Sequence, residues 1–217
     1  MDAIRGWDKI VGIKAVSFDV DGTLWDFRSV MRRSLHQVLL ELVRMDPNLS
    51  NLITVDGMIS IRNYVYNNWR GLTLDLEEIR RESFRQILSE IGCSDNRMAS
   101  HLASVYFEHR YADNILFQET LPVLKELGQR YLIGIISNGI SFVEDLGLGK
   151  IVKFTTYAQD CGAEKPNPRI FKVALEKAGC LPKEFVHVGD SLKSDIAGAN
   201  LMGVKSVWIN RARCERK

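Results

Sequence analysis

The sequence of 217 residues lacks the spacings that mark common zinc and redox sites. Its four cysteines form no CxxC pair, and its four histidines show no HExxH spacing, so a zinc site is unsupported. These residues are Cys93, Cys161, Cys180, Cys214, His36, His101, His109 and His187. Because disulfides are rare in the cytoplasm, we read the thiols as reduced and mostly structural, and we expect a cytoplasmic protein.

A strong charge bias and long apolar runs are also missing. The formal net charge is +2 and the sequence pI is about 8.3, which does not favour nucleic acid as a partner. No apolar run approaches the length of a membrane span. Charged residues interrupt the N-terminal segment MDAIRGWDKIVG, so we do not expect a secretory signal. The remaining candidate partners are small molecules.

Five short apolar segments are typical of buried strands. They lie at 14–20, 131–138, 151–158, 185–190 and 204–210. Helical patterns precede or follow the later segments, at 121–130, 168–179 and 194–203, and the last two end on glycine. This alternation predicts an α/β fold with a parallel, doubly wound sheet.

Residues 29–111 break this rhythm, because they contain no convincing strand. About four helices fit the segment, and the first carries an apolar face made of Met31, Leu35, Val38, Leu39 and Leu42. A simple crossover needs far fewer than these roughly 80 residues. We therefore predict a helical domain at 27–114, inserted into a catalytic core of 1–26 and 115–217. The predicted hinges are 25–28 and 112–117.

Polar residues follow three of the predicted strands. Asp19 and Asp21 end the first strand, Ser137 and Asn138 the second, and Asp190 the fourth. Ligands bind beyond the carboxyl ends of parallel strands, so we expect these groups at one rim. Asp195 and Lys165 could join the same rim, but each also has a simpler explanation. Asp195 could be a carboxylate at the start of a helix, and Lys165 a solvated loop charge.

Clustered carboxylates at this rim would repel one another without a cation among them. Oxygen ligands suit Mg²⁺, and Lys165 would add a fixed positive charge that also attracts phosphate. One aspartate could then attack a phosphoryl group while the second gives and takes the proton. Gly22 permits a tight turn, so Asp19 and Asp21 can converge on one phosphate.

Four motifs, in this order, resemble those of the haloacid dehalogenase (HAD) superfamily. They are DVDGT at 19–23, SN at 137–138, the lysine of EKPNP, and GDSLKSD at 189–195. The resemblance spans residues 14–210 and implies a Rossmann-like core with an inserted helical cap of the C1 type. Two features depart from the phosphatase pattern. The interval from Asn138 to Lys165 is short, which predicts a trimmed helix, and Gln118-Glu119 stands where Pro-Gly is common.

The resemblance also implies a role for each motif residue. Asp19 would be the nucleophile and Asp21 the general acid/base. Mg²⁺ would bind the carboxylates of Asp19 and Asp190 and the backbone carbonyl of Asp21, while Asp195 orders the metal's waters or positions its neighbours. The substrate-binding positions would be Thr23, Ser137, Asn138 and Lys165. The dehalogenase branch lacks an aspartate at the position of Asp21, so its presence favours phosphoryl transfer.

We therefore predict a Mg²⁺-dependent phosphatase for small phosphorylated metabolites. The alternatives are a sugar-phosphate phosphomutase and a non-catalytic phosphate-binding protein. Specificity would lie in the helical domain, where 62–71 is either a selectivity surface or a solvated helix face. Trp25 either packs the hinge or lines the entrance, His187 is predicted to be a packed core residue, and the basic tail 211–217 a solvated end. No pattern indicates an oligomeric state.

Overall fold

The computed structural model describes residues 12–69, 75–112 and 115–211. They form two compact units: one combines the residues up to Trp25 with those from Leu116 onward, and the other spans Asp26–Ile115. The N-terminal segment before Gly12, residues 70–71 of the 62–71 cluster, residues 113–114 of the second hinge and the tail beyond Arg211 lie outside the described residues. No described helix is both long and apolar enough to cross a bilayer.

A five-stranded sheet forms the centre of the first unit. Its strands are β1 (Ala15–Phe18), β2 (Leu132–Ser137), β3 (Phe154–Tyr157), β4 (Phe185–Gly189) and β5 (Lys205–Trp208). They are arranged in the order β3-β2-β1-β4-β5, and every neighbouring pair is parallel. Each strand lies inside a predicted segment but is shorter than that segment. The predicted parallel α/β sheet is confirmed.

The central strand β1 explains where a ligand site can form. All four of its residues are buried, since it pairs with β2 on one side and β4 on the other. The chain proceeds outward from β1 through β2 to β3, then returns to place β4 on the opposite side. The carboxyl ends of β1 and β4 therefore flank the point where the strand order reverses, which is the usual ligand crevice of such sheets.

The second unit is helical in all of its regular structure that is described. It contains α1 (Phe27–Met45), α2 (Val55–Trp69), α3 (Leu76–Glu90) and α4 (Asn96–Ala112), with a 3₁₀ turn at Pro47–Asn51. Asp46 ends α1 and caps the following turn through a hydrogen bond from Asn48 N. The helices share an apolar core that includes Leu35, Leu42, Met58, Phe84 and Leu102. The predicted helical segment is confirmed, and its role as a cap stays a prediction.

Four further helices accompany the sheet. They are α5 (Thr120–Leu127), α6 (Ala158–Cys161), α7 (Pro168–Ala178) and α8 (Ala197–Leu201), and a π-helical turn at Leu192–Ile196 leads into α8. The sequence of α7 carries clear start and stop signals, because Asn167 caps its first turn and Gly179 ends it with a φ of +61°. Its buried face, which includes Ile170 and Phe171, packs into the core of the sheet unit.

The connection between β2 and β3 is a loop. Residues 138–153, all of which the structure describes, contain turns and no α-helix. This confirms the trimmed helix that the short interval between Asn138 and Lys165 predicted. The loop after β2 reaches the residues that follow β1, because Ser141 in this loop donates to Asp21.

The packing of β2 on β3 requires a glycine. Gly134 is paired in register with Phe154, and a Cβ atom at position 134 would overlap the Phe154 ring. Relief of the overlap would have to displace a ring that also packs against Phe185. We expect Gly134→Ala to lower the free energy of unfolding by about 1–3 kcal/mol, as overpacked core substitutions do.

Urea unfolding measures this effect, and Gly149→Ala is the matched control. A Cβ at position 149 would meet only the Glu144 side chain, at an ordinary contact distance of 3.9 Å, so its substitution should change stability by less than about 0.5 kcal/mol. Equal stability of the Gly134→Ala and Gly149→Ala variants would contradict the packing argument.

Candidate active site

The sheet brings the predicted polar residues to one rim. Asp19 immediately follows β1, Ser137 is the last residue of β2, and Asp190 immediately follows β4. The backbone N–H of Asp19 still donates to Val188 O across the sheet, at 2.8 Å. The Asp19 backbone is therefore fixed by strand pairing, while its side chain emerges at the carboxyl end of the sheet.

Lys165 is the centre of the buried charge network. Its Nζ lies 2.6 Å from Asp19 Oδ1, 2.6 Å from Asp195 Oδ1 and 2.7 Å from Ile136 O. These acceptors match the three donor positions of an ammonium group. Burial lowers the pKa of Lys165, but the charges of Asp19 and Asp195 outweigh burial and raise it, so the side chain is positively charged. Only 2% of its surface is exposed, which excludes the alternative of a solvated loop charge.

Asn138 explains how the Lys165 loop is held. Its side-chain amide donates to Lys165 O at 3.0 Å, and its carbonyl oxygen accepts from Lys165 N at 2.7 Å. The loop also contains a cis peptide bond between Lys165 and Pro166. Asn138 was predicted to bind substrate, yet the hydrogen bonds of its side chain are with the backbone of this loop.

Asp195 is bound by its protein neighbours on both oxygens. Oδ1 accepts from Lys165 Nζ and contacts His187 Nε2 at 3.1 Å, and Oδ2 accepts from Ser191 N at 2.9 Å. Burial alone would raise the pKa of Asp195, but the charge of Lys165 and the bond to His187 lower it well below its usual range. The carboxylate is therefore ionised, and its contacts fit the positioning role among the predicted alternatives.

His187 does more than fill space in the core. It is fully buried in β4, as predicted, but its two ring nitrogens contact Asp195 and, at 2.8 Å, the Ser17 hydroxyl. Burial lowers the pKa of His187 and favours the neutral ring. Because ionised Asp195 can only accept, the ring proton belongs on Nε2, and Nδ1 accepts from Ser17. Strand periodicity places Ser17 and Asp19 on one face of β1, but it does not identify His187 as the partner of Ser17.

Asp21 has partners that the sequence reasoning missed. Its Oδ1 accepts from Trp25 Nε1 at 2.7 Å and from Ser141 Oγ at 2.6 Å. Trp25 is buried, with 1% of its surface exposed. The sequence predicted that Trp25 either packs the hinge or lines the entrance. Neither prediction included its hydrogen bond to Asp21. No sequence signal pointed to Ser141.

Three glycines let the carboxylates approach the backbone. A Cβ at Gly22 would overlap the Asp190 carboxylate, a Cβ at Gly139 would overlap Asp21 Oδ2, and a Cβ at Gly189 would overlap Asp195. Gly22 also adopts a φ of +89°, which disfavours other residues. These three glycines therefore provide the space in which the carboxylates lie.

Two predicted substrate-binding hydroxyls are buried at the same end of the sheet. Ser137 has no exposed surface, and its Oγ accepts from Gly139 N at 3.0 Å. Thr23 is also buried, and its Oγ1 has no hydrogen-bond partner in the part of the chain that the structure describes. Their burial favours a role in shaping the loops.

Arg211, the first residue of the predicted solvated tail, is exposed as predicted but also makes specific contacts. Its guanidinium donates to Thr23 O at 2.9 Å, pairs with Glu119 Oε1 at 2.6 Å and lies 3.4 Å from the ring centroid of Phe117. The tight turn after Asp21 leaves carbonyl groups that a multidentate donor can satisfy. Arg211 thus fixes the outer side of the loop that carries both aspartates.

The donor set fits a hard divalent cation. Asp19, Asp190 and Asp195 each offer a carboxylate oxygen, and these oxygens lie within 4.8 Å of one another. Burial raises the pKa of Asp19 to about 7 against the opposing charge of Lys165. At Asp190, loss of hydration and the charge of Asp195 also raise the pKa. The cluster therefore contains more negative charge than Lys165 alone neutralises, which an oxygen-seeking ion such as Mg²⁺ would relieve.

The Lys165 ammonium group, which Asp19 and Asp195 share, should contribute to the stability of the fold. In Lys165→Met, Asp19 and Asp195 would lose their buried partner, so we expect unfolding to require about 3–5 kcal/mol less in metal-free buffer at neutral pH. Urea unfolding tests this, with Lys172→Met as the control because Lys172 is exposed. A Lys165→Met variant as stable as that control would contradict the described network.

The comparison with known proteins agrees with this geometry. A family model described as haloacid dehalogenase-like hydrolase matches residues 13–203. The chain is 29% identical over 199 residues to the 5-amino-6-(5-phospho-D-ribitylamino)uracil phosphatase YigB of Escherichia coli, covering 91% of this chain and 83% of that protein. It is 25% identical over 210 residues to a glyceraldehyde 3-phosphate phosphatase of Methanopyrus kandleri, covering 93% and 85%.

Solved structures show the same architecture. A 2-haloacid dehalogenase from Pseudomonas syringae superposes with a TM-score of 0.76 at 30% identity, covering 94% of this chain and 89% of that one. The HAD-hydrolase YfnB of Bacillus subtilis, solved with bound magnesium, gives a TM-score of 0.74 at 22% identity, covering 91% and 89%, and supports the fold alone. The family match extends over most of the chain and includes all four motifs, and the chain belongs to the haloacid dehalogenase-like hydrolases.

Proposed function

We propose that this enzyme is a Mg²⁺-dependent phosphatase for small phosphorylated metabolites, working through a phosphoryl group on Asp19. One observation carries the proposal: the Asp19 carboxylate is held by Lys165 at the strand end, and a second aspartate, Asp21, lies two residues further along the same loop. A carboxylate nucleophile beside a second carboxyl group is what two-step phosphoryl transfer to water requires.

The names of several relatives support the phosphatase class. YigB, the Methanopyrus kandleri protein and a phosphoserine phosphatase of Thermus thermophilus, 33% identical over 138 residues, are all named for removing phosphate from small molecules. Their substrates differ from one another, so the proposal extends to the substrate class and not to one compound. A cytoplasmic location and the role of the helical unit as a substrate-selecting cap belong to the same proposal.

The chemistry starts with an attack by Asp19. Lys165 binds its Oδ1, so we assign the attack on phosphorus to Oδ2. As the bond from phosphorus to the ester oxygen breaks, Asp21 gives its proton to the leaving alcohol. Water then attacks the phosphoryl-aspartate and transfers a proton to Asp21. Inorganic phosphate leaves, and both carboxyl groups return to their starting forms.

The remaining residues hold the reacting groups in place. We assign the cation to the carboxylates of Asp19 and Asp190 and the backbone carbonyl of Asp21, with Asp195 beside them. When bound, Mg²⁺ would neutralise charge on the phosphoryl oxygens and on the nucleophile. The Lys165 ammonium already bonds three protein acceptors, so we assign it chiefly to neutralising the carboxylates. Ser137 and Thr23 are the proposed hydroxyl contacts to phosphate.

Two other reactions are compared with phosphate hydrolysis: carbon-halogen cleavage and phosphoryl transfer to a sugar. The structural relative from Pseudomonas syringae is described as a 2-haloacid dehalogenase, which makes carbon-halogen cleavage the second candidate. Asp21 favours phosphoryl transfer, because ester cleavage needs a proton donor for the leaving alcohol, whereas a halide leaves without one. A phosphomutase shares the first half-reaction and would return the phosphoryl group to a sugar. Free phosphate, free halide and an isomerised sugar phosphate distinguish the three.

The nucleophile assignment gives the first functional test. We expect Asp19→Asn to reduce phosphate release from a panel of metabolite phosphates by more than about a thousand-fold, because an amide cannot form the phosphoryl-enzyme. The control is Asp160→Asn, an exposed carboxylate on α6 that should leave turnover unchanged. Unimpaired hydrolysis by Asp19→Asn would exclude this mechanism.

The metal dependence of phosphate release gives the second functional test. Chelation should abolish phosphate release by the wild-type enzyme, and Mg²⁺ should restore it. Asp190→Asn should raise the Mg²⁺ concentration needed for half-maximal activity, since it replaces a charged carboxylate ligand with a neutral amide. Full activity in the chelated enzyme would refute the metal assignment but leave Asp19 as a candidate nucleophile.

A further inference from the structure

The two hydrogen bonds to the Asp21 side chain go to one of its two carboxylate oxygens. Both of its hydrogen-bond donors, Trp25 Nε1 at 2.7 Å and Ser141 Oγ at 2.6 Å, meet the same oxygen, Oδ1. No bond to Oδ2 is found among the described residues. One oxygen of the carboxyl group is therefore occupied by the protein, and the other is available for reaction.

Trp25 reaches Asp21 because of the tight turn between them. Gly22 N donates to Trp25 O at 3.1 Å, and residues 21 and 25 form an isolated parallel bridge. Trp25 also bridges to Leu116, which fixes its backbone from the other side. The buried indole thus has little freedom, and its N–H is aimed at Oδ1 by backbone geometry.

Ser141 approaches from a different element. It belongs to the helix-free loop after β2 and is itself buried, with 4% of its surface exposed. In the same loop, Gly139 lies against Asp21 Oδ2, where a Cβ would overlap that oxygen. Two loops from different strands therefore fix the orientation of one carboxyl group, from the Oδ1 side by bonding and from the Oδ2 side by close packing.

We propose that Trp25 and Ser141 are positioning residues for the acid/base: they bind Asp21 through Oδ1 and so present Oδ2 to the oxygen of the leaving group. This inference rests on the proposed phosphatase function. A carboxyl group restrained in this way needs no side-chain reorganisation before the proton is transferred, and such orientation contributes directly to rate. Asp21 becomes negatively charged as its proton leaves, and hydrogen bonds to a charged group are stronger than neutral ones, so each donor should contribute measurably.

A purely structural role for Trp25 makes a different prediction. If the indole only filled space, Trp25→Phe would act through packing and would slow all substrates alike. The positioning role affects only the step that needs a proton. An alkyl phosphate needs a general acid because its alkoxide is a poor leaving group, whereas p-nitrophenyl phosphate releases a stable phenolate without one.

The test measures kcat/KM for glycerol phosphate and p-nitrophenyl phosphate, because kcat/KM reports steps through formation of the phosphoryl-enzyme. Wild type, Trp25→Phe, Ser141→Ala, the double variant and Asp21→Asn are compared. We expect each single variant to lose on the order of 10-fold with glycerol phosphate and less than about 3-fold with p-nitrophenyl phosphate. The double variant should lose no more than Asp21→Asn, since all act through one group.

Two further variants separate positioning from folding. Ser141→Thr keeps the hydroxyl and should recover most of the activity lost in Ser141→Ala. Ser206→Ala removes a half-buried hydroxyl that donates to Asn200 Oδ1 elsewhere in the sheet unit, and it should change kcat/KM for neither substrate. If Trp25→Phe fails to fold, as judged by circular dichroism, the comparison of Ser141→Ala with Ser141→Thr decides the question.

Each outcome has one meaning. A loss confined to glycerol phosphate supports the positioning role. Equal losses with both substrates, or no loss with either, overturn it and leave the phosphatase function standing. If wild type does not hydrolyse glycerol phosphate, the best alkyl ester of the metabolite panel takes its place. A wild-type enzyme that releases phosphate from no member of the panel contradicts the proposed function and removes the basis of this inference with it.

Discussion

The buried ammonium group of Lys165 is the interaction on which the rest of the active site depends. It joins Asp19 after β1, Asp195 in the π-helical turn and the carbonyl of Ile136 in β2, so one charge connects three separate parts of the chain. Buried charges are tolerated only when paired and hydrogen-bonded, and here all three donors have acceptors. The arrangement of Asp19 and Asp195 meets this requirement, because both carboxylates lie within hydrogen-bond distance of the same ammonium group.

Around this centre the protein surrounds each acidic group with a different environment. Asp195 is tied to Lys165, His187 and Ser191, and its pKa is lowered, which suits a fixed carboxylate. Asp19 shares the same lysine, but burial raises its pKa, and it retains an oxygen for chemistry. Asp21 is bound through neutral donors on one oxygen. The different roles that we propose for these carboxylates follow from their different contacts, which is the usual way that proteins separate such roles.

Much of this architecture follows from local sequence patterns. The alternation of strands and helices predicted the parallel sheet, and the placement of Asp19, Ser137 and Asp190 at strand ends predicted a shared rim, because parallel strands necessarily end on one side. The short interval before Lys165 correctly indicated that the loop after β2 lacks a helix.

What the sequence patterns missed depends on contacts between distant segments. Ser141 reaches Asp21 across 120 positions, and Ser17 reaches His187 across 170, so no periodicity or spacing connects either pair. Arg211 looked like part of a solvated basic tail, yet the carbonyls of the turn after Asp21 provide it with acceptors that only the folded loop creates. Composition predicts burial of a histidine but cannot identify the groups its two nitrogens will meet.

The central claim is that Asp19 carries the phosphoryl group during turnover, and direct chemical trapping tests it. Asp21→Asn should still react with p-nitrophenyl phosphate, which needs no acid in the first step, but should hydrolyse the phosphoryl-enzyme slowly for lack of a base. Acid quenching during this reaction, followed by peptide mass spectrometry, should find one phosphoryl group on Asp19. Release of p-nitrophenol with no phosphoryl group on Asp19, or with the group on another residue, would contradict the account.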